Sequence, residues 1–165
     1  MMISQKMNDA LNRQVANEFG ACFSYLAMAF EFDAMGLKIF SKRFHEQADE
    51  ERDHAMRIAR FIQDVDGKVV LDTIAKPRTD YGSALAMVES ALKHEKTVTK
   101  QIHGLVEMAE GEKDYTTRSF LQWFVDEQVE EESTMTDLLH MVQLAGESNL
   151  FLVEGRLAKM MDSSS

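Results

Sequence analysis

In four separate stretches of this chain, apolar residues recur at alternating spacings of three and four, each stretch about 28 residues long and free of proline. A strand repeats every two residues, so this period commits the chain to long amphipathic helices. Segment A runs from about residue 3 to 35 and stops at Gly36; its stripe is Leu11, Val15, Glu18, Cys22, Tyr25, Ala29. Segment B runs from about 38 to 66 and stops at Gly67, with the stripe Phe40, Phe44, Gln47, Glu51, His54, Ile58, Phe61. Segment C starts at Ser83, a suitable N-cap, and runs to about 110, with Leu85, Val88, Leu92, Glu95, Thr99, Ile102, Val106. Segment D runs from about 116 to 145 and ends before Gly146, with Leu121, Phe124, Gln128, Glu131, Met135, Leu138, Val142. Residues 149–161 form a shorter candidate fifth helix, and the stretch 67–82, which holds the single proline Pro77, has no helical period.

Each long helix would span about 40 Å at 1.5 Å per residue. The A–B and C–D connections are short, so each pair forms an antiparallel hairpin. The B–C connection of about 16 residues reaches roughly 50 Å when extended, enough to travel the whole bundle and make B and C parallel. The expected fold is all-α: an up-down-down-up four-helix bundle with a long B–C crossover and a short fifth C-terminal helix, a single domain over 1–165.

The bulk properties narrow the function classes. The net charge of −10 repels nucleic acid and anionic membrane and attracts cations. A lone cysteine, Cys22, excludes a disulfide framework and a cysteine-built zinc or iron–sulfur site within one chain. No run of 18 apolar residues suggests a membrane span, and the N-terminal residues lack a basic-then-apolar signal pattern. The expectation is a cytoplasmic protein with no nucleic-acid or membrane partner.

The most informative feature is that every stripe is apolar at both ends and polar in the middle. The interruptions are Glu18 on A, Glu51 and His54 on B, Glu95 on C, and Gln128 and Glu131 on D. Counted from the A–B turn near Met35–Gly36 and the C–D turn near Glu112–Lys113, all six fall within about one helical turn of a single level. That match holds for either sense of the crossover. Four inward carboxylates cannot stand as an unpaired buried anionic cluster, and no lysine or arginine lies on the stripes to neutralise them. Two divalent cations would. One imidazole among oxygen donors suits iron, manganese or zinc. A single Glu-x-x-His step such as Glu51–His54 is common by chance; four acidic interruptions at one depth are not.

Other residues carry weaker signals. Tyr25 sits one heptad from Glu18, either a core residue or a redox or hydrogen-bonding neighbour. Glu46, Asp49, Glu50 and Asp53 on B, and Glu127, Glu130 and Glu132 on D, read as solvated faces. Trp123 and the twelve methionines read as core or interface. His45, His94, His103 and His140 fall off the stripes and are expected to face solvent or subunit contacts.

Nearly the whole chain resembles the bacterial non-haem ferritins. The residues that carry the resemblance are Asn17-Glu18-Phe19 with Tyr25, the run Glu50-Glu51-Arg52-Asp53-His54, His94-Glu95, the run from Phe120 to Gln128, Glu130-Glu131-Glu132 and Leu144-Ala145-Gly146. The resemblance implies a ferritin-like bundle in which Glu18, Glu51 and His54 ligate a first iron. Glu51 bridges to a second, held with Glu95 and Glu131, while Gln128 and Tyr25 stand behind the ligands. Glu50, Glu127 and Glu130, with Glu131 shared, resemble an additional third iron site. It implies Fe(II) oxidation by O2 or H2O2, a ferric mineral, and a homo-oligomeric shell of 24 subunits with 149–161 as its fifth helix. Bacterioferritins differ in carrying Glu-x-x-His on D, where this chain has Gln128-x-x-Glu131, and a haem methionine on B, where Arg52 follows Glu51; no haem is expected. Rubrerythrins add a four-cysteine iron domain. The small DNA-protecting shells place their iron ligands between subunits and lack the fifth helix.

Two rivals to ferroxidase-driven storage are compatible with the same residues. One is a di-iron or di-manganese oxidase of a small substrate that builds no mineral; the other is a metal-free structural bundle.

Overall fold

The computed structural model describes residues 2–163. Five α-helices account for most of them: α1 (Gln5–Ala34), α2 (Lys38–Asp64), α3 (Ala84–Gly111), α4 (Tyr115–Ala145) and α5 (Leu150–Ser163), with a short 3-10 turn at Glu147–Asn149 before α5. The described residues contain no strand. No helix among them is long and apolar enough to cross a membrane.

Local chemistry sets the boundaries. Ser4, Ser83 and Asp114 cap α1, α3 and α4 by accepting the backbone N–H three residues on, each at 3.0 Å. Gly36 takes a φ of 81° and lets the chain reverse between α1 and α2. The α2 helix ends at Asp64, two residues short of the span read from its periodicity, because Asp66 adopts a φ of 58°. The first turn of α2 has no side-chain cap of its own, since Leu37 precedes it. Glu154 from α5 replaces it, with Oε1 accepting from Ile39 N at 2.6 Å and Phe40 N at 3.1 Å. Glu147 accepts from Leu85 N at the start of α3 in the same way, at 2.9 Å. A carboxylate at a helix N-terminus meets both orphan N–H groups and the positive end of the helix dipole.

Side-chain pairings give the topology. Ser4 meets Glu112, and Gln14 meets Gln101, so α1 and α3 run antiparallel. Gln47 meets Glu131, and Phe61 stacks on Phe120 with centroids 3.9 Å apart, so α2 and α4 run antiparallel. Since α1 and α2 form a hairpin, α2 and α3 are parallel. The bundle is therefore up-down-down-up, and the stretch after α2 crosses its length.

Two buried asparagines on α1 hold the start of that crossover. Asn8 accepts from Lys68 N at 3.1 Å and donates to Lys68 O at 3.2 Å, while Asn12 donates to Lys68 O at 2.9 Å and accepts from Val70 N at 2.7 Å. They satisfy backbone groups that have no helical partner. Gly67 lies against them; a Cβ there would sit 2.5 Å from Asn8 Oδ1 and 2.9 Å from Ile62 O.

The apolar core falls into two blocks. One, around Phe32, Phe40, Phe44, Met87 and Val142, is closed by Leu150, Val153 and Leu157 of α5. The other, around Met7, Leu11, Ile58, Ile62, Ile102 and Leu121, fills the opposite end. The layer between them is polar.

Candidate metal centre

The polar layer holds the six residues that interrupt the stripes. Glu18, Glu51, His54, Glu95, Gln128 and Glu131 are all at most 5 % exposed. Among the described residues, two groups bring potential metal-ligating atoms within 4.8 Å of one another: Glu18, Glu51 and His54, and His54, Glu127 and Glu131. His54 belongs to both. Its ring is wedged edge-on against Trp123 and Phe124, with centroids 5.5 and 5.9 Å away. Arg57 stacks over that indole, 4.0 Å from its centroid.

Each carboxylate is oriented by a neutral partner. Gln14 Nε2 donates to Glu18 Oε1 at 2.8 Å, leaving Glu18 Oε2 buried without a partner. The Tyr25 hydroxyl donates to Glu95 Oε1. Gln128 Nε2 lies 3.3 Å from Glu95 Oε2 and 3.2 Å from the Glu95 carbonyl. Gln47 Nε2 donates to Glu51 Oε1 at 3.1 Å and to Glu131 Oε2 at 2.8 Å.

The electrostatics follow from burial. Desolvation, then the charge of Glu51, pushes the Glu18 carboxyl well above its usual range. Desolvation, then the charges of Glu51 and Glu131, lifts Glu95 to about 8. Desolvation, then the charges of Glu51 and Glu50, lifts Glu131 to about 7. Burial would depress His54, but its hydrogen bond to Glu51 and the surrounding carboxylates raise it to about 9. Glu51 alone among them is held low: burial opposes its charge, and His54, then Glu18 and Gln47, overcome that. Burial and the nearby Glu95 push the Tyr25 phenol well up.

Without a cation, burial thus favours the neutral forms of Glu18, Glu95 and Glu131, while Glu51 favours its charged form. This donor set fits divalent cations: oxygen-rich, one imidazole, and one buried carboxylate oxygen that no protein group satisfies. A surface cleft of about 470 Å³ between α2 and α4 leads to His54; Glu50, Glu127, Arg57 and Trp123 line it.

The residues read from the resemblance as a third site are only partly gathered. Glu127 is half-buried and groups with His54 and Glu131. Glu50 faces the same cleft but is ion-paired to Arg43 at 3.4 Å. Glu130 is exposed and belongs to neither group. Glu132 accepts from the Thr99 hydroxyl at 2.6 Å.

One expectation needs correction. His94, expected to face solvent or a subunit contact, is half-buried within the chain: its ring lies edge-on to Tyr25 at 6.1 Å, and its Nε2 is buried without a partner. The side chain lies over the hydroxyl-bearing ring behind Glu95, so burial lowers its pKa. Two site neighbours went unassigned in the sequence, Gln14 and Gln47. Both are at most 2 % exposed, and the signal was available, because Gln47 stands on the stripe of segment B and Gln14 one turn before Glu18.

Comparison with known proteins agrees with this architecture. The ferritin-like domain family matches residues 8–145. A bacterial non-heme ferritin of Staphylococcus epidermidis is 40% identical over 159 residues, covering 95% of this chain and 96% of the relative. One of Staphylococcus aureus is 37% identical over 158 residues, covering 94% and 95%. An open-pore ferritin from the hyperthermophilic archaeon Archaeoglobus fulgidus superimposes with a TM-score of 0.92 at 44% identity, covering 94% of this chain and 96% of that one. With this bundle, this crossover and relatives aligned along nearly its whole length, the chain belongs to the ferritin family.

Proposed function

We propose that this protein stores iron, oxidising Fe(II) at an intrasubunit di-iron site and depositing the ferric product inside a homo-oligomeric shell of 24 subunits. The observation that carries the reading is the buried ligand group of Glu18, Glu51 and His54, with buried Glu95 and Glu131 at the same level and, among the described residues, no lysine or arginine paired with any of these carboxylates. Family membership and the names of the ferritin relatives support storage as the outcome.

Glu18, Glu51 and His54 take the first Fe(II); Glu95 and Glu131 take the second, with Glu51 between them. Two Fe(II) supply two electrons, which reduce O2 with two protons to H2O2, or H2O2 with two protons to two waters. Protons displaced from Glu18, Glu95 and Glu131 on iron entry are available at the site. Tyr25 and Gln128 hold Glu95 in place. Glu127, with Glu50 along the cleft and Glu130 exposed one residue before the shared Glu131, offers a further iron position, suited to passing oxidised iron onward.

The test is aerobic addition of several hundred Fe(II) per assembly, followed by size-exclusion chromatography with iron detection. Iron co-eluting with a large assembly, far beyond two per chain, is the expected result. Retention of two per chain or fewer, with the rest precipitating, would instead support a di-iron or di-manganese oxidase acting on a small substrate.

A further inference from the structure

Gln47 is fully buried, and both ends of its amide are engaged. Its Nε2 bridges carboxylates from two helices, Glu51 Oε1 on its own α2 and Glu131 Oε2 on α4, 84 residues away. Its Oε1 accepts from Arg43 Nη2 at 2.9 Å. That contact orients the amide, because only with the oxygen toward Arg43 does the NH2 group face the carboxylates. Arg43 is anchored in turn by Glu50 at the cleft.

We propose that Gln47 is the positioning residue for the second metal position, with Arg43 fixing its orientation. This rests on the di-iron reading above. By occupying Glu51 Oε1 and Glu131 Oε2, the amide directs the opposite oxygen of each carboxylate into the layer. One of these, Glu51 Oε2, lies 3.4 Å from His54 Nδ1. The first position keeps Glu18 and His54, neither of which Gln47 touches. The second position depends on Glu51, Glu95 and Glu131, and Gln47 holds two of the three. Hydrogen-bond partners behind metal ligands typically govern affinity about 10–100-fold. A lost Gln47 should therefore separate the two binding steps rather than weaken both.

The experiment is anaerobic titration of the full, metal-stripped assembly with Co(II), followed by calorimetry and by the visible absorption of bound Co(II). The wild-type protein is expected to bind two Co(II) per chain at the layer. Gln47→Met should leave the first step within about threefold and weaken the second by about tenfold or more, with changed absorption only for the second ion. Arg43→Met, in which the amide is free to turn, should weaken the second step in the same direction by less. Two steps indistinguishable from wild type in Gln47→Met overturn the proposal. Should that variant fail to assemble, an unchanged second step in Arg43→Met overturns it instead. A wild-type protein that binds no second Co(II) brings down the di-iron reading itself, a different outcome from a wild type with two sites and an indifferent Gln47.

Discussion

His54 Nδ1 stands 3.4 Å from Glu51 Oε2 across one turn of α2, and this pair organises the charge of the whole layer. The imidazole is held protonated and Glu51 ionised, while Glu18, Glu95 and Glu131 are pushed toward their neutral forms. A cation that takes both His54 and Glu51 as ligands must displace the proton between them. It also removes the reason for the other carboxyls to stay neutral. Metal entry and proton exit are therefore one event at this site.

Loss of Glu51 should be the most damaging single change for oxidation. It removes the carboxylate common to both metal positions and the partner of His54. Glu51→Ala is expected to slow the fast phase of Fe(II) oxidation by about 100-fold or more while helix content and assembly size persist. Stopped-flow absorbance with circular dichroism checks this; a wild-type rate would sink the assignment.

The pH dependence of the metal-free protein has a definite sign. Glu131 at about 7, Glu95 at about 8 and His54 at about 9 all hold protons more tightly folded than unfolded, where their references are 4.5, 4.5 and 6.5. Each contributes stability that is full below its unfolded value and lost as pH rises through its folded value. The thermal midpoint of the stripped assembly should fall between about pH 4.5 and 9, and saturating Zn(II) should abolish that fall. Glu51 acts in the opposite sense, but only in acid, below its ordinary value of 4.5. Scanning calorimetry across this range, with and without Zn(II), is the check; a flat metal-free profile would contradict the burial argument.

Glu127 and Glu130 should not be equivalent. Glu127 shares a ligand group with His54 and Glu131, whereas Glu130 does not. Glu127→Ala is expected to change both the first oxidation and later turnover. Glu130→Ala should spare the first and alter only the rate over repeated Fe(II) additions. Sequential stopped-flow additions separate the two, and unchanged later turnover in Glu130→Ala would remove Glu130 from any third position.

Glu154 provides a stability test remote from the metal layer. Its carboxylate caps α2 through Ile39 N and Phe40 N. Glu154→Ala should cost about 1 kcal/mol, as loss of a cap does, and lower the thermal midpoint without affecting Fe(II) oxidation. An unchanged midpoint would show that water replaces the carboxylate at no cost.

By itself the sequence determined four long helices, because a stripe spaced by threes and fours can bury its apolar face only as a helix. It also determined the common level of Glu18, Glu51, His54, Glu95, Gln128 and Glu131, because hairpins of rigid rods convert residue counts into depth. The direction of α3 relative to α2 was not legible in that register, since mid-bundle residues stay level either way. The tertiary structure decided it through pairs such as Ser4 with Glu112. The tertiary structure also decided which neutral side chain stands behind each carboxylate, as Gln47 does for Glu51 and Glu131. It brought Asn8 and Asn12 to Lys68 and Val70, and Glu154 to the start of α2. The division has one cause. Periodicity acts within a helix and is written in neighbouring residues, whereas a hydrogen bond across helices depends on their rotation and separation, which only the packed core sets.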